Sequence, residues 1–368
     1  MGDAFELVDD LGPEKVLYLH DAATGLRAIL VIDNVAAGPA IGGTRMAPDV
    51  SLAECARLAR AMTLKNAAAG LPHGGAKAVI FADPGMPAAD KERLVRAYAY
   101  ALKDVQDYIA GPDMGTDETA MAWVHDVIGR AVGLPREIGG IPLDEIGATG
   151  FGLAVALEAA EPFVAFPLAG ARVAIQGFGA VGMNAARFLV ERGARLVAAS
   201  DSAGSLARAE GLDVPALVDW KRQGGRLAEF PGGEAGPRDA IIDAECDIWI
   251  PAARPDVIHE GNVDRLQARV VAEGANIPVT EAAERRLAER GVLVLPDFIV
   301  NAGGVICAAV EHRGGRQGEA LESIAEKIHA NVTEVLQRAE AAGGLPRQAA
   351  IEMARERVVT AMRFRRTW

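Results

Sequence analysis

The first third of the chain mixes strand-like and helix-like hydrophobic patterns. Two short apolar runs, 16–19 and 28–32, flank a polar turn and predict a β-hairpin. The glycine-rich segment 37–45 that follows is expected to be a loop whose backbone can approach a ligand closely. Amphipathic spacing then predicts three helices, at 51–69, at 90–109 and from an N-cap at Thr116 to about residue 130.

Beyond residue 134 the pattern changes. Three glycines and two prolines in the segment 133–142 predict a hinge or domain boundary near 134–145. Strand-like and helix-like segments alternate after it, which is typical of a parallel, doubly wound sheet. The predicted strands are 172–176, 196–200, 247–250, 270–272 and 292–295, and the predicted helices are 179–192, 213–229, one after Thr280, 316–342 and 346–365.

Length and charge narrow the class of protein. At 368 residues the chain is long enough for two domains, and its formal charge of −12 argues against binding nucleic acid or an anionic membrane. The longest stretch without a charged residue, 173–186, is too short to span a bilayer, and no signal peptide is visible. The cysteines, Cys55, Cys246 and Cys307, indicate reduced, buried thiols and a cytoplasmic protein.

A dinucleotide-binding fingerprint follows the strand at 172–176. Its residues are Gly177, Phe178, Gly179, Ala180, Val181 and Gly182. In this context Gly177 makes the tight turn, Gly179 admits the pyrophosphate and Gly182 lets the helix pack on the strand. Asp201 lies 24 residues after Gly177, at the end of the next strand. There it can accept hydrogen bonds from the adenosine ribose and repel a 2′-phosphate. The pattern therefore predicts NAD in preference to NADP.

Polar residues in the first part of the chain suggest catalytic chemistry. Lys65 lies three residues after Met62, on the apolar face of its helix, where it either meets an anion or extends its ammonium to water. Lys77 follows a Gly-Gly-Ala segment and is either a general base or a solvated surface lysine. Asp113 occupies a tight loop and is either catalytic or a turn carboxylate. The six histidines have no ligand-like spacing, so no metal site is predicted.

Together these segments resemble the family of glutamate, leucine, valine and phenylalanine dehydrogenases. The resemblance rests on two lysines twelve residues apart, the Pro-Asp loop at 112–117, the fingerprint at 177–182, and the segments 271–276 and 301–304. The short length is closer to the leucine and phenylalanine enzymes, and the chain is most like leucine dehydrogenase, whereas segment 271–278 is closer to the glutamate-type motif. The resemblance implies an α/β protein with two domains: an N-terminal substrate, catalytic and oligomerisation domain, 1–138, a Rossmann domain, 139–330, and C-terminal helices, 331–368, that return to the first domain.

The resemblance also implies residue roles. Lys65 would bind the substrate carboxylate, with Gly42 and Gly43 lining that site, and Lys77 would activate the water that attacks the iminium. Asp113 would exchange protons with the amino group, and Asn276 would hold the substrate. The expected neighbours of the nicotinamide are Asn276, Asn301, Gly303 and Thr149, the last with a helix N-cap as its alternative role.

The implied reaction is NAD-dependent oxidative deamination of an amino acid to a 2-oxo acid and ammonia, reversible as reductive amination, in a homo-oligomer. Glutamate enzymes of the family hold the side-chain carboxylate with a lysine before the Gly-Gly pair and a serine after Asn-Ala-Gly-Gly. Those positions are Ile41 and Ala308 here, which with Val305 predict an apolar pocket for Leu, Val or Ile, and Met62 is a further candidate for substrate binding. Two alternatives stay open, an aromatic amino acid such as phenylalanine and a catalytically silent sensor of NAD or amino acids.

Overall fold

The computed structural model describes residues 4–365 and divides the chain into two compact units. Unit 1 contains the chain up to Leu143, Val305–Ser323 and the segment from Ile351 onward, and unit 2 contains Asp144–Gly304 and Ile324–Ala350. This two-part α/β architecture, with a C-terminal segment that belongs to the first unit, confirms the predicted fold class. Among the described residues, no helix is long and apolar enough to cross a membrane.

The sheet of unit 1 contains five strands in the order β1-β2-β4-β3-β5. The strands are β1 (Lys15–Asp21), β2 (Leu26–Asn34), β3 (Ala40–Met46), β4 (Gly74–Ile80) and β5 (Tyr108–Pro112). The first two form the predicted antiparallel hairpin, and β3 is parallel to both β4 and β5. The expectation of a loop at 37–45 is wrong for 40–45. Glycine lowers strand propensity there, yet pairing on both sides makes this segment the interior strand β3.

Helices cover both faces of this sheet. They are α1 (Leu52–Ala68), α2 (Ala88–Ala101) and α3 (Glu118–Ile128). Helix α1 packs on the face that presents Val31 and Val79, and the opposite face packs against α2 and α3 around Tyr98. The prediction that the second helix reaches residue 109 is wrong, since it ends at Ala101 and residues 108–112 form β5. The predicted cap is also displaced by one residue, because Asp117 and not Thr116 caps α3.

Unit 2 contains a seven-stranded sheet in the order β12-β11-β10-β6-β7-β8-β9. Its strands are β6 (Arg172–Gln176), β7 (Arg195–Ser200), β8 (Ser205–Ala207), β9 (Glu234–Gly236), β10 (Ile248–Pro251), β11 (Val270–Ala272) and β12 (Leu293–Leu295). The five strands from β12 to β7 are parallel, as predicted, whereas β8 and β9 add an antiparallel edge.

Helices α4 (Leu143–Ile146) and α5 (Ala148–Ala160) precede this sheet, and α6 (Ala180–Glu191), α7 (Val214–Arg222), α8 (Glu281–Glu289) and α9 (Asp297–Val300) lie between or after its strands. The predicted helix 213–229 is too long, because the α-helix stops at Arg222 and the chain turns through Gly224 with a positive φ. Helices α10 (Gly303–His312), α11 (Gln317–Ala342) and α12 (Pro346–Phe364) end the described chain, close to prediction.

The three cysteines are buried free thiols, as predicted. Burial raises the pKa of each thiol to about 12, so none is ionised at neutral pH. Cys55 packs between α1 and the sheet of unit 1, and its thiol donates to the Lys77 carbonyl oxygen at 3.2 Å. These cysteines therefore act as small apolar core residues.

Candidate active site

A lysine and an aspartate meet above the middle strand of the parallel part of the unit 1 sheet. Lys77 is in β4 and Asp113 immediately follows β5, so β3 runs between them. The Lys77 ammonium contacts a carboxylate oxygen of Asp113, and both side chains are largely buried, with 8% and 18% of their surface exposed. The sequence places these residues 36 positions apart, and the parallel register brings them together.

Glycine in β3 makes room for this pair. A Cβ on Gly43 would lie 2.9 Å from the Asp113 Cβ and 3.1 Å from the Lys77 Nζ. A Cβ on the neighbouring Gly42 would lie 1.8 Å from the Ala76 carbonyl oxygen. The Gly-Gly pair thus permits two close approaches at once, one to the neighbouring backbone and one to the charged pair.

The Asp113 carboxylate is fixed by the loop that carries it. The Met114 N–H donates to its Oδ1 at 2.7 Å, and the Asp113 N–H donates to the Thr116 hydroxyl, which itself donates to the Thr44 carbonyl oxygen at 2.7 Å. Burial raises the pKa of the Asp113 carboxyl, but the charge and hydrogen bond of Lys77 outweigh it and hold that pKa below its usual range. Asp113 is therefore an ionised acceptor at neutral pH.

Arg45 is a neighbour of this pair that the sequence reasoning missed. Its Nε lies 3.5 Å from the Asp113 Oδ2, and its Nη1 donates to the Glu54 carboxylate at 2.6 Å. Asp113 thus has cations on two sides. Side chains two residues apart in a strand share a face, so the assignment of β3 would have placed Arg45 beside Gly43.

Lys65 and Met62 lie on α1, the helix that packs on β4, and both are half-buried. Two buried residues of the same helix anchor it to the sheet. The Thr63 hydroxyl donates to the Asp33 carboxylate at 2.6 Å, and the Asn66 amide donates to the Gly74 carbonyl oxygen at 2.7 Å. This anchoring fixes the position of the helical turn that carries Lys65.

The three predicted apolar pocket residues all belong to unit 1. Ile41 is buried in β3, two residues before Gly43 and therefore on the face of that glycine. Val305 and Ala308 are three residues apart on α10, so their side chains share one face of the helix. Glu311 on the same helix accepts the N–H groups of Leu134 and Ile141 at 3.1 and 2.8 Å, which anchors α10 to that segment.

In unit 2 the fingerprint glycines have the geometry that the motif requires. Gly177 has a φ of 95°, and a Cβ there would lie 2.7 Å from the Ala253 Cβ. A Cβ on Gly182 would lie 2.0 Å from the Gly177 carbonyl oxygen, so helix α6 packs tightly on β6. A Cβ on Gly179, by contrast, would meet nothing within 4 Å, and Gly179 and Ala180 are exposed. The N-terminus of α6 therefore has open space for a diphosphate.

Asp201 follows β7, as predicted, but it is already paired. The Lys221 ammonium lies 2.6 Å from its Oδ2, and the N–H groups of Ala203 and Leu227 donate to the carboxylate at 2.8 and 3.2 Å. Burial raises the pKa of Asp201, but these hydrogen bonds and the Lys221 charge hold it below its usual range. The sequence reasoning missed Lys221, which lies on α7 with no spacing that marks it.

Asn276 and Asn301 are brought together in unit 2. The Asn301 Nδ2 donates to the Asn276 Oδ1 at 2.9 Å. Thr149 is in the first turn of α5, whose N-cap is Gly147, so the alternative of an N-cap role for Thr149 is wrong. Its hydroxyl lies 3.7 Å from where a Cβ on Gly304 would stand, so the start of α5 lies against the start of α10.

The comparisons with known proteins identify the family. Residues 139–366 match the family model described as Glutamate/Leucine/Phenylalanine/Valine dehydrogenase, and residues 13–130 match the Glu/Leu/Phe/Val dehydrogenase, dimerisation domain. The chain belongs to this family. It is therefore an oxidoreductase that acts on the CH–NH2 group of amino acids by oxidative deamination, with an NAD(P) cofactor.

Three relatives show the range of the similarity. The glutamate dehydrogenase of Aeropyrum pernix is 39% identical over 90% of this chain and 85% of its own. The NADP(+)-dependent glutamate dehydrogenase of Pyrobaculum calidifontis is 37% identical, again over 90% and 85%. The crystal structure of L-tryptophan dehydrogenase from Nostoc punctiforme has a TM-score of 0.76 and 27% identity, and the match covers 97% of this chain and 99% of that one.

Proposed function

We propose that this enzyme deaminates an apolar L-amino acid, with Leu, Val and Ile preferred, and that it uses NAD. The observation that carries the substrate assignment is the pair Ile41 and Ala308. These stand at the two positions where glutamate enzymes of the family have a lysine and a serine for the side-chain carboxylate. Neither can pair with a second carboxylate. Burying that charge unpaired would cost several kcal/mol, or about three orders of magnitude in efficiency.

The acid–base residues of the proposed mechanism are Lys77 and Asp113. A bound nicotinamide would supply the acceptor for the α-hydride of the amino acid. In its neutral amine form, Lys77 removes a proton from the water that attacks the iminium carbon, and Asp113 exchanges protons with the departing amino group. Their contact supports these two roles, because the ionised carboxylate of Asp113 lies beside Lys77 and can accept the proton that Lys77 releases.

Binding roles are proposed for the residues around that pair. Lys65 holds the substrate α-carboxylate, Gly42 and Gly43 line that carboxylate site, and Asn276 helps to hold the substrate. Met62, Val305, Ile41 and Ala308 surround the apolar side chain. A buried CH2 group would contribute about 0.8 kcal/mol to binding there, which favours the larger aliphatic side chains.

The cofactor site fits a dinucleotide. The open N-terminus of α6 at Gly179 would receive the diphosphate, with Phe178, Ala180 and Val181 completing the turn, and Asp201 would accept hydrogen bonds from the adenosine ribose. Thr149 and Asn301 would lie at the nicotinamide end. The preference for NAD rests on the charge of Asp201. The Lys221 ammonium partly compensates this charge and so reduces the preference.

Glutamate is the second candidate substrate. It is favoured by the names of the relatives from Aeropyrum and Pyrobaculum and by the glutamate-type segment 271–278. An aromatic amino acid is the third candidate substrate, because the chain is similar to L-tryptophan dehydrogenase.

We also propose that the enzyme is a homo-oligomer, in keeping with the match to the dimerisation domain. Its functional domains are proposed to divide at about residues 138 and 330.

A panel of amino acids tests the proposal. NADH formation is recorded at alkaline pH with Leu, Val, Ile, Phe, Trp and Glu, and again with NADP. We expect kcat/KM for the best aliphatic substrate to exceed that for glutamate by at least 100-fold. A glutamate value within tenfold would overturn the pocket assignment, and a clear preference for Phe or Trp would overturn the aliphatic choice.

A further inference from the structure

The turn that carries Asn276 is strained. The next residue, Ile277, has a φ of 50°, a conformation that a β-branched residue rarely adopts. Its N–H donates to the Asp297 Oδ2 at 2.8 Å, and its carbonyl oxygen accepts the Asp256 N–H at 3.0 Å. A backbone in this region is strained and persists only where the surroundings hold it. Asp297 is the side chain that does so here.

Asp297 is in turn held by Arg347, a residue in the first turn of α12. The Arg347 Nη1 donates to the Asp297 Oδ1 at 2.9 Å, its Nε donates to the Glu284 carboxylate at 2.9 Å, and its Nη2 contacts Glu273. Glu273 also accepts the Asp297 N–H at 2.8 Å. One guanidinium thus binds three separate acidic side chains, and Arg347 and Glu273 both form hydrogen bonds with Asp297.

Burial makes this arrangement depend on the arginine. Glu273 and Glu284 are almost completely buried, with 0% and 2% of their side-chain surface exposed. Their Oε1 atoms have no hydrogen-bond partner within the described chain. Arg347 reaches the three acids with three different nitrogens, Nη2, Nε and Nη1, a spread that the single nitrogen of a lysine does not have.

We propose that Arg347 is a positioning residue of this dehydrogenase. It fixes Asp297, Asp297 holds the strained Ile277 turn, and the turn keeps the Asn276 side chain in place to hold the substrate. This rests on the proposed function, because the binding role of Asn276 belongs to it. Arg347 itself touches neither substrate nor cofactor in this account.

The test compares four variants with the wild-type enzyme. Arg347→Gln removes the charge, Ile277→Gly removes the strain because glycine tolerates this φ, and the double variant combines both. The matched control is Arg338→Gln, which alters an arginine in the half-buried Arg338–Glu334 pair of α11. Should Arg347→Gln fail to fold, Asp297→Asn replaces it, since the asparagine keeps one acceptor and loses the charge that Arg347 binds.

Three readouts, steady-state kinetics, NADH binding and hydrogen exchange, are measured at a temperature well below unfolding. We expect Arg347→Gln to raise KM for the amino acid at least tenfold and to leave the Kd for NADH within threefold. We expect hydrogen exchange in the peptide containing Ile277 to become at least tenfold faster. In the double variant, kcat/KM should be at least tenfold higher than in Arg347→Gln. The control Arg338→Gln should leave the kinetics, the NADH binding and the hydrogen exchange unchanged.

Unchanged KM and unchanged exchange in Arg347→Gln would overturn the proposal. So would a loss of activity without faster exchange and without rescue by Ile277→Gly, because a role in stability alone has that signature. The exchange measurement needs no substrate. If the wild-type enzyme deaminated no apolar amino acid, the proposed function would fail, and faster exchange at Ile277 would still support the control of the turn by Arg347.

Discussion

The ammonium of Lys221 lies 2.6 Å from the carboxylate of Asp201, the residue on which the proposed preference for NAD rests. Both side chains are mostly buried, so solvent screens the pair only in part. An aspartate at this place repels a 2′-phosphate through its negative charge, and an adjacent ammonium cancels much of that repulsion. We therefore expect this pair to set how strongly the enzyme discriminates between the two cofactors.

Lys221→Ala should sharpen the preference for NAD. Without the ammonium, Asp201 faces the ribose as an uncompensated charge, and we expect the ratio of kcat/KM with NAD to that with NADP to rise about tenfold, or about 1.4 kcal/mol. Arg222→Ala, at the exposed neighbouring position, is the control and should leave the ratio within twofold. A fall in the ratio for Lys221→Ala would show that the lysine does not act by compensating Asp201.

Lys77→Ala should abolish turnover without loss of cofactor binding. Loss of a general base costs about two to four orders of magnitude in rate, and Lys77 lies in unit 1 whereas the cofactor fingerprint lies in unit 2. Steady-state rates and NADH titration measure the two effects separately. Lys103→Ala, an exposed lysine, serves as the control. Retention of more than about a tenth of the wild-type rate in a folded Lys77→Ala protein would refute the assignment.

Gly43→Ala should damage catalysis more than stability. The added Cβ would stand 2.9 Å from the Asp113 Cβ and 3.1 Å from the Lys77 Nζ, which forces the charged pair apart. We expect kcat to fall by about 100-fold, since a misplaced catalytic group costs about that much. Gly318→Ala has nothing within 4 Å of its Cβ and should be neutral. Equal kcat values for both variants would mean that the pair does not need this space.

Glu273 should make the stability of the enzyme fall with rising pH. Burial raises the pKa of its carboxyl to about 8, against the charge of Arg347, which lowers it. The unfolded chain releases this proton near pH 4.5, so the free energy of unfolding declines from about pH 4.5 to about pH 8 and is lowest above that range. Glu273→Gln removes the ionisation. Urea unfolding should therefore show that the free energy of unfolding of the variant rises relative to that of the wild type between pH 5.5 and pH 9. A parallel pH dependence in both proteins would contradict this.

Local signals in the sequence predicted some of these features well. The turn at Gly177 and the packing at Gly182 follow from a motif six residues long, because the strand, turn and helix determine their own geometry. Strand β3 was not predicted because its glycines lower the strand propensity, and the strand forms through its pairing with β4 and β5. The ion pairs of Arg347 and Lys221 were not predicted because their partners lie 20 or more residues away and no periodicity links them.

The substrate side chain is the central claim, and an exchange of two residues tests it most directly. In Ile41→Lys/Ala308→Ser the pocket gains the two groups that hold a second carboxylate in the glutamate enzymes. The measurement is kcat/KM for L-leucine and L-glutamate in the wild type and in this double variant. We predict that the wild type favours leucine by at least 100-fold and that the double variant shifts the ratio toward glutamate by at least 100-fold. A wild-type enzyme that favours glutamate, or a ratio that the double variant leaves unchanged, would contradict the account.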